Sequence, residues 1–189
     1  MSHRFYIALL HHPVLNRDGE IVTTSITNID VHDIARSART YDVTGFFIGH
    51  PILGMRRLTE RILWHWMEGH GAAYNPTRGD ALQFVRISSD LDQILAQIES
   101  ETGCLPHLIA TSARPEAGTI DYPEMSREIQ ESEEPFLLLL GTGYGLSPEV
   151  LERCSRRLAP IDGVSDYNHL SVRAAAAIML DRLFGRKVH

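Results

Sequence analysis

The chain has 189 residues, 43% of them hydrophobic, and a formal net charge of −6. That length fits one domain, and that apolar content supports a packed core and excludes a disordered chain. No apolar run approaches the roughly 20 residues that cross a bilayer; the net acidity argues against a general nucleic-acid coat, and two cysteines without metal spacing suit a reducing cytoplasm.

The elements alternate between strand and helix. Residues 5–10 form an apolar run that is short for a secretory segment and predicts a buried first strand. A polar loop follows, turning at Asn16-Arg17-Asp18-Gly19. Asp30 is read as the cap of a helix of about three turns with Asp33 as its capping-box partner, and Ile34, Ala38 and Tyr41 form the buried face. Residues 45–48 predict a strand, 55–68 a helix, and the Gly-, Asn- and Pro-containing stretch up to Asp80 a loop. Residues 82–87 predict a strand, 91–101 an amphipathic helix with Ile94, Leu95 and Ile98 inward, and 107–111 another strand. Residues 113–123 read as a loop and 124–130 as a short acidic helix. Residues 136–140 are a fully apolar strand running into Gly141-Thr142-Gly143-Tyr144-Gly145. Ser147 caps the next helix, with Pro148 at its first position and Glu149 just inside. Residues 158–161 predict a short strand, 162–169 a loop, and 170–184 a final helix stopped by Gly185. Apolar strands alternating with helices imply an α/β fold, a Rossmann-like parallel sheet with helices on both faces.

The chemistry concentrates in a few places. Glycines at 141, 143 and 145 let the backbone approach a ligand and take positive φ, and small Ser171 and Ala174 leave room on the facing wall. A strand, Gly-x-Gly-x-Gly, a helix and then Asp162 about twenty residues on is also the pattern of a dinucleotide site. Leu146 stands where the third glycine of that pattern is expected, and Asp162 reads equally as a turn residue before Gly163. All but one of the 18 basic residues are arginine, the exception being Lys187, which suits bidentate phosphate contacts and also fits a compositional bias. Arg36 and Arg39, one turn apart, read either as solvated helix residues or as phosphate contacts. Ten histidines raise the question of a metal, but His11-His12 are adjacent, His65 and His70 are five apart, and no paired spacing occurs, so no metal site is expected. The acidic run 128–134 reads as a solvated face. Trp64 and Trp66 read as core or partner-interface residues, with RNA stacking beside Arg56, Arg57 and Arg61 as the other reading.

Three runs in order resemble the SPOUT RNA methyltransferases. Gly141-Thr142-Gly143-Tyr144-Gly145-Leu146-Ser147 resembles their second signature. Leu158-Ala159-Pro160-Ile161-Asp162-Gly163 and Tyr167-Asn168-His169-Leu170-Ser171-Val172-Arg173-Ala174-Ala175-Ala176 resemble the third, and are especially similar to a bacterial family of small stand-alone RNA methyltransferases. Ile34-Ala35-Arg36-Ser37-Ala38-Arg39-Thr40-Tyr41-Asp42-Val43-Thr44-Gly45 resembles the first signature of SpoU-type enzymes, which carry an arginine at the Arg36 position. Residues 51–122 carry no recognisable signature.

The resemblance implies one SPOUT-type domain over residues 1–189, with 51–80 as an insertion, and a C-terminal trefoil knot. It implies an S-adenosylmethionine (SAM) pocket built from Leu140, Gly141, Thr142, Gly143, Gly145, Leu158, Ile161, Tyr167, Leu170, Ser171 and Ala174. It places Arg36, Asn168 and His169 in catalysis, and Arg39 and Asp30 on the substrate. The substrate implied is tRNA or rRNA, and the assembly a cytoplasmic homodimer, free of metal and membrane, in which Arg36 of one subunit meets the cofactor loops of the other. An unperturbed arginine has a pKa above about 12 and is a poor base, so an orienting role suits Arg36. SpoU enzymes have asparagine where Asp30 stands, which leaves base and ribose methylation both open. A second hypothesis is a non-catalytic module that binds SAM or RNA.

Overall fold

The computed structural model describes residues 4–114, 117–165 and 167–186. Its order is β1 (Phe5–Leu10), β2 (Val14–Leu15), β3 (Ile21–Val22), α1 (Asn28–Thr40), β4 (Gly45–Gly49), α2 (Leu53–Met67), α3 (His70–Tyr74), α4 (Pro76–Leu82), β5 (Val85–Ser88), α5 (Leu91–Thr102), β6 (His107–Ala110), α6 (Tyr122–Glu131), β7 (Phe136–Gly141), α7 (Pro148–Glu152), β8 (Arg156–Arg157) and α8 (Val172–Phe184). Six strands form one sheet in the order β5-β4-β1-β7-β6-β8, and every adjacent pair is parallel.

The alternation of side chains along each strand sorts the core into two layers. Phe5, Ile7 and Leu9 of β1 and Phe136, Leu138 and Leu140 of β7 face α1, α6 and α8, which contribute Ile34, Met125 and Leu180 among others. Tyr6, Ala8 and Leu10, with Leu137 and Leu139, face α5 and α7 through Ile94, Ile98 and Val150. Both faces of the central strands are therefore covered, which is why β1 and β7 are apolar at every position. Each buried leucine or phenylalanine contributes about 1.5–3 kcal/mol of transfer free energy, so the centre of the sheet is the rigid platform on which the loops at its carboxyl edge rest.

The structure shifts several local expectations. α1 starts earlier than expected, because Thr27 is its N-cap: the Thr27 hydroxyl accepts from the Asp30 N–H at 3.3 Å and donates to the Asp30 carboxylate. Asp30 is thus the third residue of the helix, not its cap. The polar loop before α1 contains the small antiparallel β2–β3 ladder. The stretch expected as a loop up to Asp80 contains α3 and α4, since Asn75 caps α4 by accepting from the Arg78 N–H and Pro76 opens it. Asp121 caps α6, which therefore begins two residues before Glu124. The short strand falls on Arg156–Arg157, one step ahead of the expected 158–161, where only Leu158 bridges to Ile120. α8 begins after Ser171, which is its cap. Among the described residues no helix is long and apolar enough to cross a membrane.

Candidate active site at the carboxyl edge of the sheet

β1 ends at Leu10, in register with Gly49 of β4 and Gly141 of β7. Beyond this edge the glycine loop 141–147 is stitched to the chain that leaves β1. Thr142 N–H donates to Leu10 O (3.3 Å), Tyr144 N–H to Leu15 O (2.9 Å), Leu15 N–H to Gly145 O (2.9 Å) and Ser147 N–H to Pro13 O (3.2 Å). These bonds explain two of the glycines without a ligand. A Cβ on Gly141 would lie 2.8 Å from the Leu146 nitrogen, and one on Gly143, whose φ is +63°, would lie 2.7 Å from Leu15 O. Gly145, at φ +108°, faces open space. The three glycines expected to admit a ligand thus divide: two admit the protein's own backbone, and Gly145 leaves an open surface.

Under this loop sits a polar cluster of which the sequence-based site named only Thr142. His11 and His50 are fully buried, their ring centroids 5.5 Å apart. His50 Nε2–H donates to Thr24 O (3.0 Å) and its Nδ1 accepts from the Ile52 N–H (3.1 Å), so the ring is the neutral Nε2–H tautomer. Thr142 Oγ1 donates to Leu10 O (3.2 Å) and contacts the Thr24 hydroxyl, which lies 3.1 Å from His11 Nδ1. His11 Nε2 is buried with no hydrogen-bond partner among the described residues. Burial, reinforced by the neighbouring His50, pushes the His11 pKa down to about 4, with nearby Asp30 opposing. Burial also lowers His50. The adjacency of His11 and His12 gave no sign of this, because only the fold turns His11 inward.

The other wall comes from residues 158–174. Leu140, Leu158 and Ile161 are buried together in the larger core layer and make an apolar floor. Leu158 N–H donates to Ala110 O (3.0 Å), Ala159 N–H to Ile120 O (2.9 Å), and Asn168 Nδ2 to Ala113 O (3.0 Å). Leu158, Ala159 and Asn168 are therefore held against the end of β6 and the segment that follows it. A small cavity there is lined by Thr111, Ser112, Arg114, Thr119, Arg157 and Leu158. Tyr167 and His169 pack edge to face at 5.2 Å and are exposed, as is Leu170. Ser171 accepts from the Ala174 N–H and starts α8. An apolar floor flanked by hydroxyls, an open glycine backbone and exposed rings suits an adenosine, whose base is flat and whose ribose needs hydrogen-bond partners.

α1 and α8 are tied at this end. Arg173 Nη1 donates to Asp30 Oδ1 at 3.1 Å, and its Nε lies 3.6 Å from Asp33 Oδ2. The acid at position 30 is therefore explained by Arg173 of the third signature run. Arg36 and Arg39 lie elsewhere. They line a groove of about 230 Å³ between α1 and α4 with Thr40, Asn75, Thr77 and Arg78. Arg39 Nε is paired with Asp80 at 3.2 Å, while the exposed Arg36 guanidinium has no hydrogen bond or ion pair among the described residues. Within the chain, none of these contacts joins Arg36 to Asn168 or His169. Trp66 is half-buried beneath Arg78, whose guanidinium carbon lies 4.3 Å from the ring centroid. Trp64 is exposed.

Comparison with known proteins agrees with this arrangement. Residues 4–185 match a family described as SAM-dependent RNA methyltransferase. A tRNA (guanine-N(1)-)-methyltransferase of Oleidesulfovibrio alaskensis is 47% identical over 180 residues, covering 95% of this chain and 42% of the relative. An uncharacterized protein of Aquifex aeolicus is 41% identical over 186 residues, covering 98% of this chain and 91% of the relative. The chain thus spans less than half of the first relative. The solved structure of the SpoU methyltransferase AviRb from Streptomyces viridochromogenes, in complex with AdoMet, matches 97% of this chain and 58% of its own with a TM-score of 0.58 at 16% identity, which is a likeness of fold.

Proposed function

This chain belongs to the SAM-dependent RNA methyltransferase family, and we propose that it methylates a tRNA or rRNA nucleotide held over the carboxyl edge of its sheet. The observation that carries the reading is that Leu140, which leads into the glycine loop, is buried in one cluster with Leu158 and Ile161 of the third signature run, and the cleft of this reading lies over them. We assign the cofactor to that cleft, against the backbone at Gly141, Thr142, Gly143 and Gly145, with Tyr167, Leu170, Ser171 and Ala174 opposite. When bound, SAM supplies a methyl group already activated by its sulfonium, so the residues here have chiefly to position the acceptor and assist loss of its proton. Asn168 and His169 are assigned to the acceptor nucleotide, with the His169 imidazole as the group that assists loss of its proton. Arg36 is assigned to orienting the RNA.

Arg36 lines the α1–α4 groove, and the reading has Arg36 of one subunit meet the cofactor cleft of the other, so that the active form is a homodimer. Supporting this, apolar side chains are exposed beside the Asp30–Arg173 tie: Ile29 is 58% exposed, Tyr167 74% and Leu170 46%. The small-residue run of α8 has a nearer use, since Ala176 is buried where α8 packs on α1 and α6. The hydrogen bonds of Leu158, Ala159 and Asn168 to the end of β6 and the segment after it support a trefoil knot. We place the whole chain in one SPOUT-type domain acting in the cytoplasm, with 51–80 inserted as the helical crossover between β4 and β5. The name of the Oleidesulfovibrio relative specifies guanine N1 of tRNA, one acceptor among those to be scored.

The test is methyl transfer from radiolabelled SAM to total RNA from a strain lacking this gene, with mass spectrometry of the digested nucleosides. A new methylated nucleoside in tRNA or rRNA is expected. SAM binding without transfer to any RNA would replace the enzyme reading with a binding module.

A further inference from the structure

We infer that the groove between α1 and α4 is a phosphodiester-binding site that grips the RNA backbone, and that the α3–α4 segment, which carries no methyltransferase signature, exists to build it. This rests on the RNA-methyltransferase reading and extends it to residues outside the signatures. Three guanidiniums, from Arg36, Arg39 and Arg78, border one cavity of about 230 Å³. Among the described residues one carboxylate pairs with them: Asp80, on Arg39 at 3.2 Å. The groove is therefore net positive on a chain whose net charge is −6, so its charge is local rather than a general property of the surface.

The guanidiniums are held for a ligand in different ways. The Arg78 guanidinium carbon lies 4.3 Å from the Trp66 ring centroid, a cation–π contact that holds the guanidinium beside the groove it lines. His32 packs edge to face on Trp66, with ring centroids 5.6 Å apart. Burial and then the nearby Arg78 lower the His32 pKa, with Asp33 opposing and Arg36 adding to the fall. Arg36, exposed and unpaired among the described residues, is free to close on an oxygen. Asn75 and Thr77 complete the polar rim; their side chains are already ordered by the α4 cap, with Thr77 Oγ1 donating to Asn75 Oδ1 at 2.8 Å. Planar forks set around one cavity match the oxygens of a phosphodiester, which are present at every nucleotide. The groove thus fixes register on RNA without reading sequence.

The experiment is binding of bulk tRNA and of a uridylate homopolymer by fluorescence anisotropy over a range of salt, alongside SAM calorimetry and methyl transfer. Each lost phosphate contact lowers the slope of log affinity against log salt by about 0.7–0.9. Arg36→Ala is expected to lower it by about one such step and Arg36→Ala/Arg78→Gln by about two, equally on both RNAs, with SAM affinity unchanged. Arg36→Ala alone covers the case in which Arg78→Gln loosens Trp66. Arg127→Ala removes the same charge from exposed α6 and is expected to leave the slope in place. A native slope in the double variant of a protein that still transfers methyl groups overturns the groove alone. A native protein that binds neither RNA overturns the groove and the RNA-methyltransferase reading together.

Discussion

The tie between Asp30 and Arg173 joins the helix that carries Arg36 to the segment assigned to the cofactor, and a double-mutant cycle measures it. The Asp30 side chain is 11% exposed and Arg173 38%. A hydrogen bond to an ionised group contributes about 1.5–3 kcal/mol net, and a neutral one about 1. Solvent screening at Arg173 favours the lower end for the ion pair. Asp30→Ala removes the acceptor for both Arg173 and the Thr27 hydroxyl, so it is expected to cost about 2–3 kcal/mol. Arg173→Ala leaves Asp30 its Thr27 partner and is expected to cost about 1.5 kcal/mol. The double variant should cost less than the sum by about 1 kcal/mol, because the second change removes a group already without its partner. Asp30→Asn keeps an acceptor for both donors and is expected to cost about 1 kcal/mol. Urea unfolding read by circular dichroism gives all four values, and each kcal/mol corresponds to a melting shift of about 2–4 °C in a domain of this size. Additive costs, or an Asp30→Asn protein as unstable as Asp30→Ala, would show that the pair is a solvated contact that does not hold α8 on α1.

Four further outcomes are expected. Gly143→Ala, which meets Leu15 O at 2.7 Å and keeps a positive φ, should cost about 2–4 kcal/mol, whereas Gly145→Ala, facing open space, should cost only the backbone strain of about 1–2 kcal/mol; chemical denaturation separates them. Because His11 has a folded pKa of about 4, below its unfolded value of about 6.5, the stability that burial of the neutral ring allows is complete above pH 6.5 and is lost as the pH falls toward 4. The loss is about 3 kcal/mol, with His50 adding in the same direction, and unfolding curves of His11→Asn should be flatter over that window. Arg36→Ala should change stability by about 0.5 kcal/mol or less yet lower methyl transfer on the order of a hundredfold, with SAM affinity unchanged by calorimetry. SAM at a hundredfold excess over its dissociation constant should stabilise the protein by about 2.7 kcal/mol; stabilisation by NADH instead would assign the glycine loop to a dinucleotide.

Local pattern alone determined the framework. Unbroken apolar runs at β1 and β7 require burial on both faces and hence a parallel sheet between helix layers. Ser147 with Pro148, and Gly185, mark helix ends because those residue types satisfy or stop the hydrogen-bond ladder whatever lies around them. The order of three signatures carried the family. Tertiary structure decided what depends on distant partners. Asp30 is the third residue of α1, and its carboxylate finds a partner in Arg173, 143 residues away. Gly141 and Gly143 are glycines for the sake of Leu146 and Leu15, a requirement no turn pattern could separate from ligand binding. His11 and His12 are chemically identical neighbours, yet one is fully buried and the other is not, and only the packing of Thr24, His50 and Thr142 around the first makes them differ. The α1–α4 groove is the clearest case: Arg36 and Arg78 are 42 residues apart in the sequence, and they border one cavity because α4 packs back on α1, a contact that depends on long-range chain reversal rather than on any local spacing.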